Sequence, residues 1–200
     1  MLGTAAVAMW WDVAPEVRPE WEEWHTVEHM RERLGIPGFL RGTRWAAVSG
    51  APSYFVLYEA DQLATLTGGA YLERLNQPTP WSRRMMPHHR NMARSLCRGR
   101  AAYGEGVPGV MATVRFSPDA GAPLPALPKS RGVTAVDVLE AQPLPAQTEE
   151  QKIRGKDATV DWVMLIGGYD AEAVQAAAQD AKLPGALIGV YRVAFSLAGA

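Results

Sequence analysis

Disulfides, lysine-rich surfaces, long apolar runs and charge of one sign are all scarce in this chain. Its 200 residues hold one cysteine, Cys97, so no intramolecular disulfide can form. Twenty Lys and Arg stand against 21 Asp and Glu, a formal net charge of −1. Binding nucleic acid would call for a basic stripe, so no nucleic-acid partner is expected. No apolar run approaches the roughly 20 residues of a membrane span, and no membrane partner is expected either. The opening MLGTAAVAMWWDV lacks a basic start and runs into acidic sequence, unlike a signal peptide. A cytoplasmic location is the expectation. Phosphate-loop, dinucleotide-fingerprint and paired CxxC patterns do not occur. A chain this long buries on the order of 70% of its unfolded surface and needs no staple. The length fits one large domain or two small ones.

What is present is unevenly spread. All four His, six of the seven Trp and six of the eight Met fall before residue 101. All four Lys lie beyond residue 128, so the first half is basic through Arg alone. The halves share a chain but differ in chemistry.

Periodicity reads as one pattern written twice. Residues 4–13 read as a strand, 19–36 as a helix stopped by Ile-Pro-Gly, and 39–50 and 53–60 as strands. A second helix follows over 61–76, weakened by Gly68 and Gly69, and a fourth strand near 92–102. The second half gives strands at 109–117, 132–141 and 160–170, an Ala-rich helix at 171–182 and a strand at 188–198. Four prolines in 117–131 leave room for a short first helix at most, and the polar 141–158 reads as an exposed loop. Each half is then βαββαβ, the ferredoxin-like split motif. The expected fold class is α+β: two tandem ferredoxin-like units, 1–105 and 106–200, forming a single-chain α+β barrel. The second unit has a degenerate first helix. Bare sheet faces turned toward each other would leave a pocket between the sheets.

The runs WHTVEHMRERLGIPGFLRGTRW and AYLERLNQPTPWSRRMMPHHRNMARSLCR resemble the EthD-like family of the dimeric α+β barrel superfamily. The resemblance covers roughly residues 5–105. It rests on a His-bearing first helix (His29-Met30-Arg31) leading into Ile36-Pro37-Gly38-Phe39 and a second strand; Arg31 stands where the family often has Pro. It implies a small α+β protein, with relatives linked to degradation of ethers and other organic compounds. The wider superfamily includes isomerases, cofactor-free monooxygenases and haem-handling enzymes. The resemblance supplies a fold and leaves the reaction open, and with it whether the chain is an enzyme at all.

His25 and His29, spaced i,i+4, share one helix face and are the candidate catalytic residues, one of them as general base. Their letters also spell the inverted zinc-protease pattern H-x-x-E-H, with Glu105 as the one suggestive distal carboxylate; the fold argues against it, and no metal is expected. On an ideal wheel, Val17, Trp24, Val27, Met30 and Leu34 form the apolar arc. The two histidines fall nearly opposite, near Arg18, Glu22 and Glu32, with Trp21 beside His25. An ordinary solvated face gives the same pattern.

Alternation on the first strand places Ala6, Ala8, Trp10 and Asp12 on one face and Val7, Met9, Trp11 and Val13 on the other. The wholly apolar set should meet the helices, the mixed set the space between the sheets. Met111, Thr113 and Arg115 line that space from the second half by the same logic. Asp12, Arg115 and Arg192 are costly if buried unpaired, so they pair with one another, sit at the barrel mouth or bind an anion. The donor-rich stretch 78–94, with Arg90 and Asn91, either clamps a carboxylate or phosphate or is a solvated loop. Cys97 reads as an ordinary buried thiol.

Residue type and resemblance together suggest a small organic ligand bound between the sheets, with cofactor-free isomerase or monooxygenase-type chemistry. Trp10 and Trp21 would form its apolar wall, and Arg90 or Arg115 would meet negative charge; Asp12, Asn91 and Arg192 complete the candidate ligand-binding set. No cofactor is expected, with haem left open. The alternative is a non-catalytic binding or assembly protein using the barrel as a scaffold. One chain can complete the barrel, so a homodimer is allowed but not required.

Overall fold

The computed structural model describes residues 1–48, 51–145, 147–155 and 157–199. Eight antiparallel strands close into a barrel: β1 (Ala5–Val13), β2 (Phe39–Ala47), β3 (Tyr54–Ala60), β4 (His89–Tyr103), β5 (Val110–Phe116), β6 (Val133–Gln142), β7 (Trp162–Gly168) and β8 (Leu187–Ala198). The order around the barrel is β1-β3-β2-β8-β5-β7-β6-β4. Cut at its two seams, it reads β4-β1-β3-β2 and β8-β5-β7-β6, the same order in each half. The seams are β2 with β8, Arg41 opposite Ala198 through Ala47 opposite Tyr191, and β4 with β6, Leu96 opposite Gln142 through Tyr103 opposite Val136. Closure leaves no strand edge open to pairing.

Strand parity behaves as read from the sequence. Val7, Met9, Trp11 and Val13 face outward into a core with the first-half helices. Ala6, Ala8 and Trp10 face inward with Trp45, Phe55, Leu57, Met111, Leu139, Val163 and Leu165. Trp10, Phe55 and Trp45 stack in sequence, with ring centroids 5.1 and 5.2 Å apart. These rings fill the barrel, and a cavity beside Trp45, Met111 and Leu165 measures about 20 Å3. That is room for one water. The open pocket expected between the sheets is therefore taken up by side chains.

The first helical segment is α1 (Arg18–Trp24), a π-helical turn (His25–His29) and α2 (Met30–Leu34) in series. At the turn the Met30 N–H reaches back five residues to the His25 carbonyl, while the Thr26 hydroxyl donates to the Glu22 carbonyl at 2.7 Å. The second predicted helix is split in two, α3 (Leu63–Thr67) and α4 (Gly69–Asn76), where Gly68 is extended. Two elements replace predicted loop. The stretch 78–94 forms α5 (Pro80–Met85) and a 3-10 turn (Met86–His88), and β4 begins at His89. Thr79 caps α5 by accepting from the Ser82 N–H at 2.9 Å. The stretch 141–158 holds α6 (Glu149–Arg154), set by a capping box between Thr148 and Gln151. α7 (Ala171–Asp180), capped by Asp170, packs Val174, Ala177 and Ala178 on the outer face of the second half. No helix among the described residues is long and apolar enough to cross a membrane.

Candidate active site

Histidines and tryptophans meet in the layer between the first helical segment and the outer face of the sheet. The helix brings Trp21, Trp24, His25 and His29; β1 brings Trp11, β2 Arg44, β3 Tyr54 and Tyr58, and β4 opens with His89. Trp21 stacks on His25 at 4.9 Å, Trp24 lies 4.6 Å from His29, and the two imidazoles are 5.6 Å apart. Trp11 stands edge-on to His89 at 5.0 Å. Two of the indoles are anchored: Trp24 donates to Ser82 Oγ at 3.2 Å, and Trp21 donates to His89 Nε2 at 2.9 Å. The last contact fixes the His89 tautomer, since Nε2 must accept and the proton sits on Nδ1.

The ideal wheel fails here for a physical reason. A π turn takes more residues per revolution and rotates the faces after it. His25 is 1% exposed and His29 8%, while Val27, assigned to the apolar arc, is 48% exposed. The imidazoles are therefore in the core layer rather than on a solvated face.

Arg44 Nη1 lies 3.3 Å from His25 Nδ1, and Tyr58 Oη lies 3.5 Å from its Nε2. A guanidinium only donates, so His25 accepts at Nδ1 and carries its proton on Nε2. Burial holds His25 well below the ordinary histidine value, with Arg44 adding to the shift; burial, then Arg33, does the same for His29. Burial also lowers His89, which is half-buried with Nδ1 sealed from solvent. All three are neutral at pH 7, available as bases. Arg33 is paired to Glu150 of α6, both nearly inaccessible, so the second half contributes a wall to this layer. The Tyr54 hydroxyl donates to Glu22 at 2.5 Å beside a surface groove of about 200 Å3 formed with Arg18, Ala46, Ala47 and Ser53.

Five buried polar atoms of this layer have no hydrogen-bond partner: Trp11 Nε1, His29 Nδ1, Arg33 Nη1, Arg44 Nε and His89 Nδ1. Buried polar atoms are nearly always satisfied, so such a concentration marks a place where water or substrate completes the bonding.

The other sequence candidates do not converge here. Trp10 is inside the barrel, donating to Thr113 Oγ1 at 3.1 Å, so Trp10 and Trp21 sit on opposite faces of the sheet and do not share a wall. Asp12, half-buried at a β1–β4 bulge, accepts from Ser53 N–H at 2.7 Å and from Asn91 Nδ2 at 3.0 Å. Asn91 is left-handed (φ 54°) and exposed, and Arg90 is exposed. Arg192 is exposed too, because Tyr191 takes the inward position. Arg115 is half-buried over the Trp10 ring. None of Asp12, Arg115 and Arg192 pairs with another. Glu28 turns away from the histidines to accept from Thr79 at 2.7 Å, and no three metal-capable side chains converge among the described residues, so the protease pattern is not built. Cys97 is inert, its thiol pushed up to about 12 by burial.

Sequence reading missed Arg33, Arg44 and Glu150, and placed His89 only within the donor-rich stretch 78–94. Arg44 carried a signal, as a charge inside the strand FLRGTRW. Glu150 carried none, because its partner is 117 residues away.

No family model matches the chain, and no curated protein matches it. Solved structures do. An anthrone oxidase-like protein superposes with a TM-score of 0.58 at 13% identity, covering 97% of this chain and 92% of its own. A "putative monooxygenase" of Fusobacterium nucleatum gives 0.56 at 8% identity, covering 99% and 96%. Another of that description from Lactobacillus acidophilus NCFM gives 0.54 at 8%, covering 98% and 96%. The likeness is one of fold, along nearly the whole of each chain.

Proposed function

We propose that the chain is a monooxygenase-type enzyme that oxidises a small ionisable aromatic molecule without a cofactor, in the layer beneath the first helical segment. One observation carries this reading: two imidazoles, two guanidiniums and one indole of that layer leave five buried polar atoms unpartnered. Within this proposal the two halves are tandem ferredoxin-like units of an EthD-like, cytoplasmic protein, and one chain suffices.

A hydroxylated aromatic ketone with an acidic CH2, the type of compound named for the first structural neighbour, fits this chemistry. His29, whose Nδ1 makes no hydrogen bond and lies 3.8 Å from Glu32 Oε2, takes a proton from the CH2; His25 or His89 is the alternative base. Arg44 and Arg33 lower the energy of the resulting anion, more strongly in a layer that excludes water. The electron-rich carbanion then reduces O2. In the net reaction CH2 and O2 give C=O and H2O, one oxygen atom ending in each product, with the substrate as sole reductant. Trp11, Trp21 and Trp24 pack directly on one another, so a flat ring system entering from the groove at Tyr54 and Glu22 must part these indoles to reach the histidines.

The test is oxygen uptake with an anthrone-type substrate and no added cofactor, with product mass confirming gain of one oxygen atom and loss of two hydrogens. His25→Ala and His29→Ala should each reduce the rate by a factor of about 100 or more if that imidazole is the base. Full activity in both variants overturns the assignment of the base to this pair. A haem absorbance band in the purified protein, or no uptake with any such substrate, overturns the reading.

A further inference from the structure

We infer a second ligand site, at the mouth of the barrel where β5, β7 and β8 end, for a small organic carboxylate with an apolar body. It lies on the opposite side of the sheet from the histidine layer. A groove of about 480 Å3 opens there, within the range of small-ligand pockets. Its walls include Ala93, Phe116, Val160 and Leu187, and Arg115 lines it from β5.

Arg115 is the reason to read this groove as a site. Of the three charges that strand alternation singled out, Asp12 is satisfied by Ser53 and Asn91, and Arg192 is in solvent. Arg115 alone is held in a partly desolvated position, making no ion pair and no hydrogen bond among the described residues. Its Nε is buried and unpartnered. Its guanidinium lies over the Trp10 ring at 5.2 Å, and Trp10 is tied in turn to Thr113. The cation is thus fixed on an aromatic shelf, its desolvation cost uncompensated by any carboxylate. The nearby Asp161 does not accept from it: that carboxylate accepts from Ser117 Oγ at 2.6 Å and is exposed.

The chemistry of the occupant follows. One guanidinium presents a planar fork that matches a carboxylate bidentately. A phosphate dianion would call for further cations, and Arg115 is the one Lys or Arg among the described residues that line the groove. The walls beside Arg115 are apolar, so the acid should carry a ring or short alkyl body.

Benzoate is a suitable probe, titrated into the full chain and followed by 1H–15N spectra. Saturable shifts are expected at Arg115 Nε–H and the Trp10 indole N–H. Arg115→Gln should weaken binding by about tenfold to a hundredfold, the value of a charge-assisted hydrogen bond. Leu187→Glu, which alters only an exposed wall residue, should weaken it as well by placing a like charge on the rim. Benzyl alcohol and inorganic phosphate should bind at least about tenfold more weakly than benzoate. His25→Gln should leave benzoate affinity unchanged, so failure here and failure of the proposed activity are separate results. Absence of saturable shifts, equal affinity in folded Arg115→Gln, or phosphate preferred over benzoate each overturns the inference.

Discussion

Lowering the pH should unfold this protein through its buried histidines, and the size of the effect can be worked out. His25 and His29 are both depressed well below 6.5 by burial in an aromatic layer. In the unfolded chain each returns to about 6.5. A group whose folded pKa is depressed binds more protons unfolded than folded once the pH drops below 6.5. Its contribution to stability is therefore full above 6.5 and is lost as the pH falls toward the folded value. The limiting slope is about 1.4 kcal/mol per pH unit for each histidine. At pH 5, about 1.5 units below the free value, each costs up to about 2 kcal/mol and the pair up to about 4. With a urea m-value of about 2 kcal/mol per molar, this pair should lower the midpoint by up to about 2 M between pH 7.5 and pH 5. Other groups titrate in the same range; Asp137, for one, is raised by burial and acts in the opposite sense. The comparison with a His25→Gln/His29→Gln variant removes them. That variant starts less stable at pH 7.5 but should lose up to about 4 kcal/mol less on acidification. Urea melts of both proteins at both pH values are the assay. Parallel losses in the two proteins would refute neutral buried imidazoles and, with them, the bases of the proposed mechanism.

Two further substitutions test the packing. Glu150→Ala leaves Arg33 buried without its partner and should cost about 3–5 kcal/mol in a urea melt; Glu150→Leu with Arg33→Met should recover most of that, and a double variant as unstable as the single one would contradict the pairing. Gly168→Ala would put a Cβ 2.0 Å from the Gly132 carbonyl oxygen, so the β7 end must separate from its neighbours; a loss of about 2 kcal/mol or more is expected, and an unchanged thermal midpoint would refute the close approach.

The barrel was legible because its signal is local. Alternation on β1 and β5 assigned each side chain to the correct face, since a strand repeats every two residues however the sheet is assembled. Gly68 was readable as a weak point and breaks the helix. The site was less legible because it depends on departures from regular geometry and on distant pairing. His25 shares the buried face of α1 with Trp21 and Trp24, and the π turn that follows keeps His29 and Met30 on that side while Val27 points out. The α5 helix put His89 against Trp21, a contact across 68 residues. The donors of 78–94 looked like a clamp, yet Arg83 and Arg84 face solvent, with Arg84 paired to Glu20 at 3.3 Å. From that stretch His89 enters the layer, with Ser82 anchoring Trp24.

The uneven histidine and tryptophan content follows from which outer face is covered. Both halves present a sheet face that helices must bury. The first half does so with a long helical segment, α3 to α5 and the borrowed α6, giving a layer closed on every side. The second half has α7 alone, and the 117–132 connection holds no helix among the described residues. Part of its outer face stays open on β8, where Ile188 is exposed. A neutral, desolvated imidazole needs a layer that excludes water, and only the first half supplies one. The second half is still not a passive closure, because Glu150 fixes Arg33 beside His29. On the proposed reading, chemistry belongs to the first half but the wall around it is shared, and α6 should be the segment whose loss abolishes that activity before it opens the barrel.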